Sequence, residues 1–360
     1  MKRTASFLAR GSDTIHRWWW ESQKCFLAVI AVLVLIGNTA PVVLADEVTL
    51  TLGGYTTPRE AYGKAIIPAF QAYWLKQTGQ GVRFQESYLG SGAQARAIVA
   101  GFEADVAALS LEGDVEKIKE AGLITHNWKS SQTKGMVSQS VVVLAVRRGN
   151  PKHIYDWADL AKPRIEILTP NAKTSGGAMW NITALYGAAL RGHVQGVAKD
   201  DPTAAGNFLQ AVLKNVMVMD KGARESITNF ERGIGDVAIT YENEVLIARQ
   251  AGQSYEYVIP TSTILIENPV AVIDKWVDKH KSRPVAEGFV KFLGTPEAQR
   301  IFAKYGLRSV DPAVAKETAQ VFPAVKDLWT IKYLGGWEKV SREIFGPQGI
   351  YTVAISGVKR

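Results

Sequence analysis

From Val48 the chain alternates, with Val48, Leu50 and Leu52 apolar and Thr49 and Thr51 polar, the period of a strand with one face turned inward. The next stretch, "PREAYGKAIIPAFQAYWLKQTG", changes to a helical period, with proline in its first turn and Gly79 as the stop. The pattern then predicts a strand at "VRFQES", a helix at "SGAQARAIVAG", a strand at "ADVAALS" and a helix at "DVEKIKEAGL". "SVVVLAVRRGNP" predicts a long apolar strand ending in a turn, after which the alternation restarts with a strand at "RIEILTP" and a helix from Ser175 to about Arg191. A helix at "TAAGNFLQAVL", strands at "VMVMD", "GDVAITY" and "NPVAVID", two helices split at Pro296 and a tail helix at "LGGWEKVSREIF" complete the pattern. Strands alternating with helices predict parallel α/β units, and the restart predicts a second lobe.

Composition gives this pattern room, since 360 residues at 47% hydrophobic suffice for two cores. The first 45 residues read differently from the rest. Lys2, Arg3, Arg10, Arg17 and Lys24 precede the apolar run "FLAVIAVLVLIG", and "VVLADE" follows, with Val43 and Ala45 placed as the small residues of a secretory cleavage site before Asp46. The competing expectation is an uncleaved membrane anchor over residues 26 to 45, close to the ~20 residues that span a bilayer, but Asn38, Thr39 and Pro41 interrupt it. Cys25, the one cysteine, precedes the apolar run, so the chain beyond Ala45 has no thiolate for catalysis or metal binding. The formal charge is +8, part of it in the leader, and the remaining excess favours an anionic partner. The basic residues are scattered without interleaved aromatics, so nucleic acid is not expected.

Three loops between strand and helix share one chemistry: "GGYTTPRE", "YLGSGAQ" and "NAKTSGGA". Each puts hydroxyls or glycines at the first turn of a helix, where up to four N–H groups lack partners. One such loop is an ordinary helix cap, whereas three at the carboxyl ends of strands are where ligands of open α/β sheets collect. No loop has the Gly-Lys-Ser/Thr ending of a P-loop, and "GSGAQARA" lacks the third glycine of a dinucleotide loop. Ser175 in "TSGGA" is not in a Gly-x-Ser-x-Gly elbow, and His126, His153, His193 and His280 are widely separated, so neither a catalytic residue nor a metal site is predicted. Trp74 and Trp180 sit among apolar neighbours at helical spacing and are expected in the core. Tyr241 ends the strand "GDVAITY" before "ENE", and the sequence leaves open whether its hydroxyl meets a ligand or lines the cleft.

The ordered segments "YLGSGAQA", "VRRGNP" with "DWADL", "TPNAKTSGGAMWN", "DKGARESITNFERGIGDVAITYENE" and "GTPEAQRIFAKYGLR" resemble the sulfate-binding proteins of bacterial ABC importers, within the type II periplasmic binding fold. The likeness runs from about Val48 to the tail. It implies an α/β protein of two lobes, with a hinge and a ligand cleft between them, that closes on one dehydrated sulfate held by neutral donors. Carried over by motif, Ser175 would offer its hydroxyl, Gly176, Gly177 and Ala223 their amides, and Tyr241 a side-chain donor, facing the amides of Ser91 and Thr56. Arg59 and Arg224 would support these loops. The implied lobes are 46–140 with 270–360, and 141–269, joined by the strands "VVVLAVRRG" and "NPVAVID".

The resemblance further implies a periplasmic, monomeric binding protein without cofactor or catalysis, whose partners are sulfate or thiosulfate and a membrane ABC permease with its ATPase subunits. A donor-only pocket suits a fully ionised anion, while a protonated phosphate would leave its proton unpaired at roughly 1–3 kcal/mol. Three positions depart from the family's pattern. Tyr241 stands where a tryptophan is usual, "NAK" and Met179 replace Asn-Pro-Lys and a basic residue, and "TTPRE" replaces an acidic residue followed directly by proline. Another tetrahedral oxyanion such as molybdate is therefore the near alternative, and a hydrolase with Ser175 as nucleophile the remote one, since no general base accompanies it.

Overall fold

Two long antiparallel strands organise the sheet. β4 (Met136–Val146) and β9 (Ser262–Val272) pair where Val141 faces Leu265 and Ser138 faces Asn268, and each then leaves the other for a different set of neighbours. β9 continues against β3 (Val106–Ala108), beyond which lie β1 (Val48–Tyr55) and β2 (Val82–Leu89). β4 continues against β7 (Val237–Tyr241), beyond which lie β5 (Ile167–Pro170) and β6 (Val216–Asp220). The path is therefore β2-β1-β3-β9-β4-β7-β5-β6, with β8 (Glu256–Val258) added to β4 and β10 (Asp327–Trp329) to β9. The computed structural model describes residues 47–358, and the expected leader, its apolar run and the cleavage point before Asp46 lie outside the described residues.

The outer pairs β1–β2, β1–β3, β5–β6 and β5–β7 are parallel, as the strand–helix alternation predicts. The pairs that β4 and β9 make with β3, with β7 and with each other are antiparallel. The cause is the path of the chain, which leaves the first half of the sheet along β4 and must run the opposite way to return along β9. Helices cover both halves, so the fold is two α/β lobes. The first half buries Leu50, Leu52, Phe70, Phe289 and Phe292, and the second buries Trp157, Trp180, Leu209 and Ile239.

The first helical stretch shows how one residue changes local geometry. A short turn at Arg59–Ala61 passes through a π turn at Tyr62–Ile66 before α1 (Ile67–Thr78) begins, and Gly79 ends it at φ 73°. Pro68 is the reason for the wide turn. Its ring has no N–H to give to the carbonyl four residues back and would press against it, and a wider turn moves that carbonyl away.

In the remaining helices the segments that matter for function start at strand ends. α2 (Ser91–Val99) follows β2, α3 (Glu112–Glu120) follows β3, and α4 (Gly176–Leu190) follows β5. α5 (Pro202–Lys214) precedes β6, α6 (Ala223–Glu231) follows it, and α7 (Glu242–Gln250) follows β7 directly. After β9 come α8 (Asp274–His280), α9 (Arg283–Leu293) and α10 (Pro296–Lys304), whose N-cap Thr295 accepts the amide of Ala298 at the break expected before Pro296. A short α11 (Pro312–Glu317) leads to β10, α12 (Gly336–Glu343) and α13 (Ile350–Ser356).

The tail from Asp327 packs against α4 and α5: Trp329, Trp337, Val340, Tyr351 and Ala354 belong to the same buried cluster as Trp180, Ala184 and Leu209. Gly187 on α4 lets the Trp329 indole lie against the helix backbone, space that a Cβ would occupy. Arg191 at the end of α4 holds Asp327 through two bonds, Nε to Oδ2 at 2.9 Å and Nη2 to Oδ1 at 2.5 Å, while Ser262 donates to the same carboxylate at 2.6 Å. Arg191, with help from Ser262, lowers the Asp327 carboxyl from 3.8 to about 2. A depressed carboxyl stabilises the fold above its unfolded pKa and loses that contribution as pH falls, here between about 4 and 2, and the shift corresponds to about 2 kcal/mol. Asp327→Asn is accordingly expected to lower stability by about 2 kcal/mol at neutral pH, with the difference from the parent shrinking as pH drops to 3. Urea melts at both pH values check it, and a difference that stays constant would refute the linkage.

Candidate functional site

The first loop pair meets through a glycine. Gly90, the N-cap of α2, is so close to the loop before α4 that a Cβ on it would lie 2.5 Å from the Thr174 carbonyl oxygen and 2.8 Å from that of Lys221. Only a residue without a side chain lets these backbones approach. The contact is fixed by the Ala93 amide, which donates to the Thr174 oxygen at 3.1 Å. Ser91 is buried, and its hydroxyl donates to Asp114 at 2.7 Å and accepts the Ser110 amide at 3.0 Å.

Ser175 forms the N-cap of α4, and its Oγ accepts the Ala178 amide at 3.4 Å. Gly176 and Gly177 then supply the first two amides of that helix. A Cβ on Gly176 would stand 2.6 Å from Ser110 Oγ, and one on Gly177 would stand 2.9 Å from the Tyr241 ring, 3.2 Å from the Ala223 side chain and 3.3 Å from Ser175 Oγ. Gly222, in extended conformation, caps α6 without a side chain, and the space beside it holds Thr56 Oγ1 at 3.2 Å. Tyr241 is fully buried, with its hydroxyl 2.6 Å from Ser110 Oγ and its ring 6.4 Å from that of Tyr55.

Thr56, Ser91, Ser175, Gly176, Gly177, Ala223 and Tyr241 thus form one chain of contacts, although they come from five separate strand ends. Among the described residues, the amides of Thr56, Ser91, Gly176, Gly177 and Ala223 meet no protein acceptor. Unpaired amides at helix starts carry partial positive charge and suit an anion.

Asp114, Glu242, Glu60 and Glu244 are each turned to a partner, while Glu225 lies beside Gly222. Asp114 takes Ser91 and, at 2.8 Å, Lys117. Glu242 is gripped by Arg308 at 2.7 and 2.9 Å. Arg224 lies between the two sides of the site, with Nη2 2.8 Å from Glu60, 3.0 Å from the buried Glu244 and 3.4 Å from the Thr57 carbonyl. Burial pushes the Glu244 carboxyl from 4.5 up to about 7, against the pull of Arg224. Arg59 instead stands over the Tyr88 ring at 5.8 Å. Arg224 therefore ties the Thr57 loop to α7, while Arg59 meets a ring on β2.

Ser110 was not singled out by the sequence, yet it joins most of these groups. Its carbonyl accepts the Trp180 indole N–H and the Asn268 amide, both at 2.9 Å. The available signal was a polar residue ending the apolar strand "ADVAALS". Trp180 is buried in the core as its spacing implied, and its N–H also serves the site.

The Ser175 hydroxyl is engaged as a helix cap, and the described histidines are bonded elsewhere. His126 meets Asp274, His153 meets Tyr155, His193 meets Asp327, and His280 meets both Asp105 and Glu103. Among the described residues no group of three or more His, Cys, Asp or Glu is placed to hold a metal ion, and no helix is long and apolar enough to cross a membrane.

The chain is 45% identical to the sulfate-binding protein of Synechococcus elongatus over 306 residues, covering 84% of this chain and 85% of that one. It is 43% identical to the sulfate-binding protein of Escherichia coli over 314 residues, covering 86% and 93%. Among solved structures, the sulfate-binding protein SubI from Mycobacterium tuberculosis superposes with a TM-score of 0.74 at 37% identity, covering 82% of this chain and 98% of that one. The family model for bacterial extracellular solute-binding proteins matches residues 50–308. With most of its length matched by that model and by close relatives, the chain belongs to the bacterial extracellular solute-binding protein family.

Proposed function

We propose that this chain is the exported binding component of an ABC importer, capturing sulfate in the site described and presenting it to a membrane permease with its ATPase subunits. The observation that carries this reading is the set of amides without protein acceptors, drawn from separate strand ends and gathered in one place. Sulfate at neutral pH only accepts hydrogen bonds, so such a set serves all of its oxygens. The names of the close relatives support the choice of anion.

In this reading Ser175 and Tyr241 add side-chain donors to the amides of Thr56, Ser91, Gly176, Gly177 and Ala223. The lobes are 46–140 with 270–360 and 141–269, hinged at the β4–β9 crossing, with the tail beyond Asp327 riding on the second lobe. Closure about such a hinge is how a binding protein reports that it is occupied. The leader is removed before Asp46 and the mature chain works as a periplasmic monomer.

Isothermal titration of the mature chain with sulfate tests this reading, with thiosulfate and molybdate as comparison ligands. Sulfate is expected to bind one-to-one. Hydrogen bonds to charged groups contribute about 1.5–3 kcal/mol each, so Ser175→Ala combined with Tyr241→Phe is expected to weaken sulfate binding by roughly a hundredfold or more. Unchanged affinity in the double variant would sink the assignment of the site.

A further inference from the structure

A cavity of about 800 Å³ opens on the β4–β9 crossing and shares no residue with the candidate site. Gln139 of β4 and Glu267 of β9, which pair across the two strands, both line it. Lys134 and Asp311 line it from the first lobe, and Ile331, Lys332 and Trp337 from the tail. The tail belongs with the second lobe, since Ile331 and Trp337 join the buried cluster of α4 and the Trp337 ring meets that of Trp180 edge-on at 4.6 Å. The cavity therefore has a wall in each lobe and the crossing between them.

Its charges stand apart. Glu267 is half-buried, yet among the described residues its carboxylate meets no donor and no cation at ion-pair distance, and Lys134 and Lys332 meet no carboxylate. Burial holds the Glu267 carboxyl above its ordinary value, and Lys332 and Lys134 pull against it without reaching it. Glu112, which adds to the upward push, is itself occupied by Lys129. A charge drawn out of water without a partner is costly. Here one carboxylate and two ammonium groups border a common space that a molecule carrying both signs of charge can fill.

We infer that this cavity binds a small zwitterion of the α-amino acid type, with its ammonium on Glu267, its carboxylate on Lys134 and Lys332, and an apolar stem against Met136, Ile331 and Trp337. The volume falls within the roughly 300–1,000 Å³ of small-molecule pockets. A simple cation would meet the two lysines and a simple anion would meet Glu267, so only a molecule with both charges satisfies the whole lining. Such a molecule also ties Lys134 in the first lobe to Lys332 on the tail of the second. By bridging the lobes as they stand together it stabilises that arrangement, so it raises sulfate affinity and sulfate raises its own by the same factor. This coupling rests on the sulfate reading above, whereas the binding of the zwitterion does not.

Isothermal titration of the mature chain with L-leucine near neutral pH tests the inference, with isoamylamine supplying the cation alone and isocaproate the anion alone. Leucine is expected to bind one-to-one, roughly tenfold or more tighter than either analogue. Glu267→Gln and Lys332→Ala are each expected to weaken leucine by roughly ten- to a hundredfold. Sulfate affinity measured without leucine should stay within about threefold in both, because the cavity and the anion site share no partner. Saturating leucine is expected to raise the parent's sulfate affinity about fivefold or more and to leave that of the variants unchanged. Lys332 is exposed, so its variant keeps the fold even where thermal melts show that Glu267→Gln does not. No leucine binding by the parent, equal binding of either analogue, or unchanged leucine affinity in the folded variants overturns the inference. Leucine bound with no change in sulfate affinity overturns the bridging of the lobes. Leucine bound by a chain that takes up no sulfate overturns the sulfate reading and leaves the cavity assignment standing.

Discussion

Gly176→Val is expected to weaken sulfate binding by roughly ten- to a hundredfold while leaving the chain folded. The position tolerates no side chain when the two sides of the site are together. A Cβ would come within 2.6 Å of Ser110 Oγ, 2.8 Å of Ser110 Cβ and 3.0 Å of Leu111 Cδ2, all on the opposite side of the cleft from α4. Ser110 cannot give way cheaply, because its amide and carbonyl are held by Ser91, Trp180 and Asn268. Forcing atoms into such a contact costs about 1–3 kcal/mol, and the strain is relieved by separating the two sides rather than by unfolding either one. The variant should therefore be stable and open. Titration with sulfate and small-angle scattering together check it, and normal affinity with a compact profile would show that the glycine serves only the local turn.

Arg224→Ala is expected to have the largest effect on stability. Arg224 is the cation that faces Glu244, a carboxylate with no exposed side-chain surface, and it also reaches Glu60 and the Thr57 carbonyl across the site. Removing one partner of a buried pair typically costs about 3–5 kcal/mol, because the other charge stays buried without compensation. Protonation limits that cost. Glu244 already titrates at about 7, above its ordinary 4.5, so the folded protein takes up a proton as pH falls through 7 and its stability from this group declines as pH rises from about 4.5 to 7. Without Arg224 the carboxyl rises further. The variant's deficit should thus be several kcal/mol at pH about 8 and smaller near pH 5.5, where Glu244 is neutral in the fold. Denaturant melts at the two pH values measure this, and an equal deficit at both would remove Glu244 from the explanation.

Much of the site was legible because its parts are local. "GSG" and "TSGGA" declare a helix start by their own composition, and Ser175 caps α4 where the hydroxyl and glycines predicted it. The place of Tyr241 at the end of β7 was legible from "GDVAITY", while the same stretch left the role of its hydroxyl open. Ser110 was not, because nothing near it in sequence marks it. Its importance comes from a contact with a residue 131 positions away. Glu244 was equally hidden, as an acidic residue in a helix's first turn reads as a favourable surface charge, and only the packing of α7 buries it.

The fold shows the same division. Helices with a cap and a stop, such as α1 ending at Gly79, were placed from pattern. The strand expected at "NPVAVID" begins earlier, at Ser262, because Pro269 looks like a strand start and is in fact inside β9. A proline cannot donate to a ladder and is tolerated at irregularities, and the pairing of β9 with β4 shifts register between Met136 and Ser138, opposite that proline. The attachment of the tail to α4 depends on Arg191 finding Asp327, a pairing with no local signature.

The crossing of β4 and β9 bears on how the chain reaches its working place. Ala107 in β3 finds its partner in Ala271 of β9, and Met136 finds Pro269, so the first half of the sheet cannot be completed until the chain has been made almost as far as α8. Such distant pairings are slow to form, since a long loop must close before any contact rewards it. A polypeptide threaded from its amino end through a narrow channel gains from that delay. Its first three strands can pair with one another, but β3 stays without its β9 neighbour until that segment has been synthesised.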